Sequence, residues 1–272
     1  VTLDDSALAV DDEAFDISDE ADVKALLEAE ERHFWHRARN GFIASKLAER
    51  GVASGARVLE LGCGAGCVSA ELARRGYDVT GVDGHRALVE VARRRAPGVR
   101  FFCRDLRKPM RDLADEPFDV ACLFDVVEHL DAPEVALERA LGWVHPDGLV
   151  VGTVPALMTL WSRIDEQSGH KTRYTAGRLE ALLRRITAAT LVEVAPFFRC
   201  LVPLLLVQRR VVTRYPARAA SVANLRVPRW PINDALYALC RAEQKLASIA
   251  TIDAIPGASL WFALSRRSET RG

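Results

Sequence analysis

One nine-residue stretch constrains this chain more than any other. Val58-Leu59-Glu60-Leu61-Gly62-Cys63-Gly64-Ala65-Gly66 is an apolar strand entering a turn with glycine at every second position, and helical sequence follows. Glycine admits positive φ and lets the backbone approach a ligand closely. Such a turn at the carboxyl end of a first strand is where open α/β sheets bind nucleotides. The spacing then narrows the choice. A dinucleotide fingerprint requires glycine at position 67, which is Cys67, and no Gly-Lys-Ser/Thr follows to build a phosphate loop.

Beyond Gly55 the periodicity predicts alternating strands and helices. Strands are expected at Arg57–Leu61, Asp78–Val82, Val99–Cys103, Asp119–Phe124 and Leu149–Val154, and helices at Ala65–Arg75, Arg86–Arg95 and Pro133–Val144. Repetition of that order means parallel βαβ units and an α/β, doubly wound, Rossmann-like sheet. Arg178–Ile186 reads as a further helix. Thr190–Val194 and Ser259–Ser265 read as a last, antiparallel pair. The 272 residues therefore divide into four parts: 1–55, an acidic arm and helical cap; 56–195, the core; 196–256, a helical insert between the last two strands; and 257–272, the final strand and tail. The helical cap is expected to run from about Asp19 to Gly51.

Acidic residues recur where each strand ends. Asp83 lies 21 positions after Gly62, at the distance where a carboxylate can accept both ribose hydroxyls. Asp105 follows the third strand and could meet an adenine amino group. The fourth strand leads into Asp125-Val126-Val127-Glu128-His129-Leu130, and His145-Pro146-Asp147-Gly148 gives a turn before the fifth.

With E-L-G-C-G-A-G at 60–66, G-V-D at 81–83, R-D-L at 104–106, F-D-V…D-V-V-E-H-L at 118–130 and H-P-D-G at 145–148, the chain resembles the class I S-adenosylmethionine-dependent methyltransferases. The resemblance covers roughly 56–155. It implies a seven-stranded sheet ordered 3-2-1-4-5-7-6 with S-adenosylmethionine across its carboxyl ends. It further implies that Gly62, Gly64 and Gly66 cradle the methionine part and that Glu60 orients its ammonium. Asp83 would take the ribose, Asp105 with Leu106 the adenine, and Phe124 with Asp125 would flank the methionine moiety.

The acceptor side is less legible, because displacement at a sulfonium carbon asks mainly for alignment, with a base needed only when the nucleophile carries a proton. His129 is the first candidate base, and a helix-opening structural role is its alternative. His170 and Tyr174, in Trp161…Asp165…Gly169-His170…Tyr174-Thr175, are the second candidates for acid–base work or substrate hydrogen bonding, against a loop-fixing role. His33-Phe34-Trp35-His36-Arg37-Ala38-Arg39-Asn40 resembles a segment found before the core in a bacterial small-molecule group of these enzymes. Phe34, Trp35 and His36 are expected to roof the acceptor, or else to staple the N-terminal helix to the sheet.

Charge is balanced overall, with 37 basic and 37 acidic side chains, which argues against a generic nucleic-acid binder. The distribution is lopsided: residues 1–31 carry twelve acids against Lys24, whereas 194–233 hold arginines 199, 209, 210, 214, 218, 226 and 229 and no acid. Three readings of that insert stay open: an acceptor cap in which Arg199 and its neighbours bind a carboxylate or phosphate, a face for an anionic membrane, and an exposed cap balancing the acidic arm. Cys63 and Cys67 lack partners for a zinc set, so no metal is expected. No signal-peptide pattern and no apolar run long enough for a bilayer are visible, so a reduced, cytoplasmic protein is expected. The reading is a methyltransferase acting on a small-molecule acceptor, at oxygen or carbon, in natural-product or glycan chemistry. Its alternatives are a non-methylating enzyme of the same fold, such as a cyclase, and a modifier of RNA or protein.

Overall fold

The computed structural model describes residues 20–108, 110, 113, 116–212, 226–247 and 255–267. The acidic stretch through Ser18, and Arg214 and Arg218 of the insert, lie outside the described residues. Seven strands form one sheet: β1 (Arg57–Leu61), β2 (Asp78–Asp83), β3 (Arg100–Cys103), β4 (Phe118–Phe124), β5 (Val144–Pro155), β6 (Ala189–Phe197) and β7 (Ser259–Arg266). Their order is β3-β2-β1-β4-β5-β7-β6, the order expected. The first five strands pair in parallel, and β7 runs antiparallel between β5 and β6, with Thr153 opposite Trp261 and Val194 opposite Phe262.

Side-chain alternation along each strand divides the core between the two faces of the sheet. Val58, Val120 and Cys122 point to one face, where they join residues of α2 (Phe34–Glu49), α3 (Cys67–Arg74) and α4 (Arg86–Arg95). Leu59, Ala121 and Leu123 point to the other, against α5 (Pro133–Trp143) and α7 (Ala176–Leu183), with the short α6 (Arg163–Gln167) before α7. Helices on both faces are what covers the apolar runs of a parallel sheet.

The N-terminal cap differs from the single helical stretch expected. It breaks into α1 (Glu20–Arg32) and α2 at His33, whose extended backbone and ring Nδ1 cap the second helix by accepting the Trp35 N–H at 3.1 Å. Likewise α3 starts at Cys67 rather than Ala65, because Gly66 sits at φ +74° and cannot belong to a right-handed helix. Residues 145–148, expected as a turn, lie within the span of β5; Asp147 takes φ +67° and the pairing with β4 shifts register between Phe118 and Val120.

The insert departs after β6 and supplies α8 (Val202–Val212) and α9 (Ile232–Ala247). α9 packs on α2, and Asn233 ties it to the helix break: its side-chain oxygen accepts the Phe34 N–H and its amide donates to the Arg32 carbonyl, both at 2.9 Å. The insert is thus fastened to the same residues that form the roof described next.

Candidate active site

The glycine turn closes tightly on its surroundings. Gly62, Gly64 and Gly66 all take positive φ. A Cβ on Gly62 would stand 2.4 Å from the Val126 side chain, and one on Gly66 would stand 2.8 Å from Ala92, whereas the equivalent side of Gly64 is open. Beneath the turn, Asp83 accepts the Gly64 N–H at 2.8 Å and the His85 N–H at 2.9 Å, so the carboxylate at the end of β2 is held against the backbone of the turn. Glu60 lies buried and hydrogen-bonded to the Ser69 hydroxyl. Burial raises its pKa to about 7, partly offset by that bond. Asp105 is gripped by Arg107, whose Nε and second amino group reach one carboxylate oxygen each at 2.9 Å, and the Leu106 carbonyl accepts from Arg139. The three acids thus stand along the carboxyl ends of β1, β2 and β3.

Next to the turn lies a cavity of about 510 Å³. The link between them is short: Val126 closes on Gly62, and Asp125, at φ +55°, faces the cavity. Asp125 pairs with Arg39 of α2 and accepts the Thr153 hydroxyl at 3.0 Å. Phe34, Trp35 and His36 line this cavity. Trp35 also packs on Phe198 at 4.5 Å, so the roof is stapled to the insert rather than to the sheet alone. Burial, with Arg39 nearby, lowers the His36 pKa to about 3 and keeps its ring neutral.

The far wall is a buried charge cluster centred on Asp165. A capping box with Ser162 starts α6 and fixes that carboxylate, which then accepts His170 Nδ1 at 2.9 Å and Arg173 Nε at 2.7 Å, with Arg209 of α8 at 3.8 Å. Burial would raise the Asp165 pKa, but the His170 hydrogen bond and the Arg173 charge overcome it and hold it at about 2. His170 Nε2 is then the unclaimed nitrogen, 3.9 Å from Glu128. Glu128 is fully buried with both oxygens unpartnered, and burial pushes its pKa well up. His170, Asp165, Arg173, Glu128 and Arg209 all reach the cavity wall.

Several expected site residues stand elsewhere. Arg199 does not line the cavity; it is buried, its N–H bonds to Glu243 at 2.9 Å and its Nε to the Ile255 carbonyl at 3.1 Å, so it anchors the insert. Arg209 and Arg226 are the insert arginines at the cavity. Tyr174 sits in the core next to β5, where burial and the nearby Glu128 raise its pKa to about 12. Phe124 packs on Trp261 in the core with ring centroids 6.5 Å apart. His129 stands behind His170, edge to face at 4.8 Å, and burial lowers its pKa. Glu128, His129 and His170 bring one potential ligand atom each within 4.8 Å of one another, a set that could accept a divalent cation. Sequence reading missed Arg39 and Arg173, and named Arg209 only among the insert arginines. The one available signal was position: Arg39 lies within the His33–Asn40 segment, and Arg173 and Asp165 within the Trp161–Thr175 segment.

An open sheet of this order, with a glycine turn over an acid at the end of β2, is the fold of the class I S-adenosylmethionine-dependent methyltransferases. A family model for the methyltransferase domain matches residues 34–190, and the chain belongs to that family. Among curated relatives, the ubiquinone biosynthesis O-methyltransferase of Azorhizobium caulinodans is 38% identical over 124 residues, 44% of this chain and 45% of that protein. The mitochondrial enzyme of the same name from Schizosaccharomyces pombe is 31% identical over 127 residues, 45% and 46% of the two chains. The chain thus matches less than half the length of these relatives. Two solved structures share the fold: the plantazolicin methyltransferase BpumL in complex with SAH (TM-score 0.59, 14% identity, 94% and 93% of the two chains covered) and a putative methyltransferase of Haloferax volcanii in complex with the activator Trm112 (0.60, 17%, 96% and 100%).

Proposed function

We propose that this chain transfers a methyl group from S-adenosylmethionine to a hydroxyl of a small, amphipathic acceptor held in the cavity under Phe34 and Trp35. The observation that carries the reading is the adjacency of the two half-sites: Val126 closes the glycine cradle and its neighbour Asp125 opens onto the cavity that holds His170. The cradle fits the donor. Gly64 has open space where a side chain would stand, and Asp83 offers a carboxylate fixed against the turn by the Gly64 N–H at 2.8 Å. S-adenosylmethionine, when bound, supplies a methyl on an already activated sulfonium. The protein then contributes alignment and exclusion of water, worth up to about 7–11 kcal/mol for a well-placed pair.

A hydroxyl acceptor must lose its proton, and His170 is the group arranged for that. Its Nδ1–H is committed to Asp165, which leaves the Nε2 lone pair on the cavity side and stabilises the ring once it is protonated. Glu128, whose pKa burial pushes up, stands 3.9 Å from Nε2. His129 supports the His170 ring from behind, a positioning role. Arg209 and Arg226 add positive charge beyond what Asp165 offsets, which suits an acceptor with a carboxylate or phosphate group. The curated relatives' O-methyltransferase names agree with oxygen as the nucleophile.

The test begins with calorimetric titration of S-adenosylmethionine, S-adenosylhomocysteine and NAD. Binding of the first two and no response to NAD is expected. Screening of phenolic and hydroxylated acceptors for S-adenosylhomocysteine release follows, with His170→Gln as control. Cofactor binding unchanged and turnover lost by about 10²-fold or more is the expected result for that variant. Wild-type turnover in it would remove His170 from the chemistry.

A further inference from the structure

Soluble folds seldom leave large apolar side chains exposed in one region, and a concentration of them marks a contact surface. Ten large hydrophobic residues are exposed among the described residues, and seven fall between Leu204 and Ile255, inside the insert. Those on α9 are ordered. Ile232, Ala235, Leu239, Ala242 and Leu246 recur at spacings of three and four, all are exposed, and the opposite face of the helix, with Asn233, Cys240 and Glu243, is the one buried. Trp230, just before the helix, is 82% exposed. Leu204 and Val207 of α8 are exposed as well.

Charge decides what covers this surface. Sequence 194–233 has seven arginines and no acid; of the five described, Arg199 and Arg209 are engaged by Glu243 and Asp165, and Arg210, Arg226 and Arg229 are exposed. The acids of α9 are both engaged, Asp234 with Arg37 and Glu243 with Arg199 and Cys200. A second copy of the chain would bring together two faces that each expose Arg210, Arg226 and Arg229, and like charges would oppose that pairing. An anionic bilayer offers what both halves of the surface need: hydrocarbon for the apolar stripe, phosphates for the guanidiniums, and an interface in which an indole settles. No described helix is long and apolar enough to cross a membrane, so the contact is with the surface of the bilayer.

We propose that the insert is a docking surface for an anionic lipid bilayer, with the apolar faces of α8 and α9 in the headgroup region and arginines among the phosphates. The cavity opens through this surface, because Leu204, Gln208 and Arg226 are exposed and line it as well. An acceptor partitioned into the bilayer would therefore enter without crossing bulk water. That last step rests on the proposed methyl-transfer reading; the docking itself does not.

Co-sedimentation of the full chain with vesicles of phosphatidylcholine alone, and of phosphatidylcholine mixed with phosphatidylglycerol, tests the docking directly. Binding to the anionic vesicles, weakened by salt, is expected. Arg229→Gln should weaken it about five-fold, from the worth of one basic residue near such a surface. Leu239→Asp combined with Leu246→Asp should abolish it with the circular dichroism melt and cofactor titration unchanged. Either of two results overturns the proposal: no sedimentation with anionic vesicles, or equal sedimentation by wild type and the double variant. Loss of a dimer in the double variant by light scattering, with vesicle binding unaltered, also overturns it and makes the stripe a self-association face.

Discussion

Asp165→Asn is the perturbation whose size follows most directly from the structure. The carboxylate is fully buried and faces two guanidiniums, Arg173 and Arg209, as well as the His170 ring. Its pKa is held at about 2 against an ordinary 3.8, a difference worth about 2 kcal/mol. The amide keeps the volume, but it removes the charge and turns a donor toward groups that themselves only donate. Breaking a buried pair in this way leaves uncompensated cations and costs about 3–5 kcal/mol, a large share of the about 5–15 kcal/mol that holds a domain. Urea unfolding at pH 7 should therefore show a loss of about 3 kcal/mol. The pH dependence has a fixed sign. A depressed carboxyl contributes fully above its unfolded value near 3.8 and loses that contribution as pH falls through about 2, so by pH 3 about half of the pKa-linked part of the gap should be gone. A loss below about 1 kcal/mol at pH 7, or a gap that widens on acidification, would refute the claim that this carboxylate organises the wall.

Four further outcomes are expected. Asp83→Ala should weaken S-adenosylmethionine binding by about 10- to 100-fold in calorimetry while the protein stays folded, since hydrogen bonds to a charged group are lost; unchanged affinity removes the ribose assignment. Gly62→Ala must place a Cβ 2.4 Å from Val126 at φ +78°, so a loss of about 1–3 kcal/mol in thermal melts and weaker donor binding are expected, and a neutral result would mean that the turn yields. Glu60→Gln should stabilise the ligand-free protein at pH 8 and be near neutral at pH 5, because the raised pKa of about 7 means that ionisation works against the fold as pH rises from 4.5 through 7. Arg199→Ala should loosen the insert, seen as faster hydrogen exchange in α8 and α9, and leave donor affinity unaltered; if donor affinity falls instead, the insert reaches the cradle.

The glycine turn and the acid beneath it were legible in the sequence because they depend on backbone. A turn that packs Gly62 on Val126 and Gly66 on Ala92 leaves no room for other residues, and parallel strands fix how far Asp83 lies from the turn. The strand order followed from the family resemblance those motifs carry, since the alternating strands and helices by themselves require only parallel βαβ units. What failed was finer. The break at His33 leaves little local signal, because apolar residues recur through it and its backbone groups are satisfied by the His33 ring and by the distant Asn233. Arg199 looked like a ligand-facing arginine because its countercharge, Glu243, lies 44 residues away on another helix. Tyr174 follows His170 closely in sequence, yet its backbone pairs with that of Pro155 and Leu157, and the side chain enters the core.

The acceptor half is assembled differently, and that difference bears on how such an enzyme changes its substrate. Each cavity wall comes from a separate segment: the roof from the start of α2, the far wall from the loop after β5, and the mouth from the insert. The sheet's parallel pairs all lie outside the insert, whose ties include α2 through Asn233, the residues just after β6 through Glu243, and the far wall through Arg209. Side chains at the mouth, such as Leu204, Gln208 and Arg226, can therefore vary with little cost to the sheet, whereas Asp165 and His170 are held by buried charge and Asp83 by the turn itself. Substitutions at the mouth should alter acceptor KM and leave donor affinity and kcat for a small, water-soluble acceptor nearly unchanged. The proposed chemistry and the proposed choice of acceptor thus meet at Arg209, which joins the insert to Ser162 and Asp165, while the exposed side chains of the mouth stand apart from that contact.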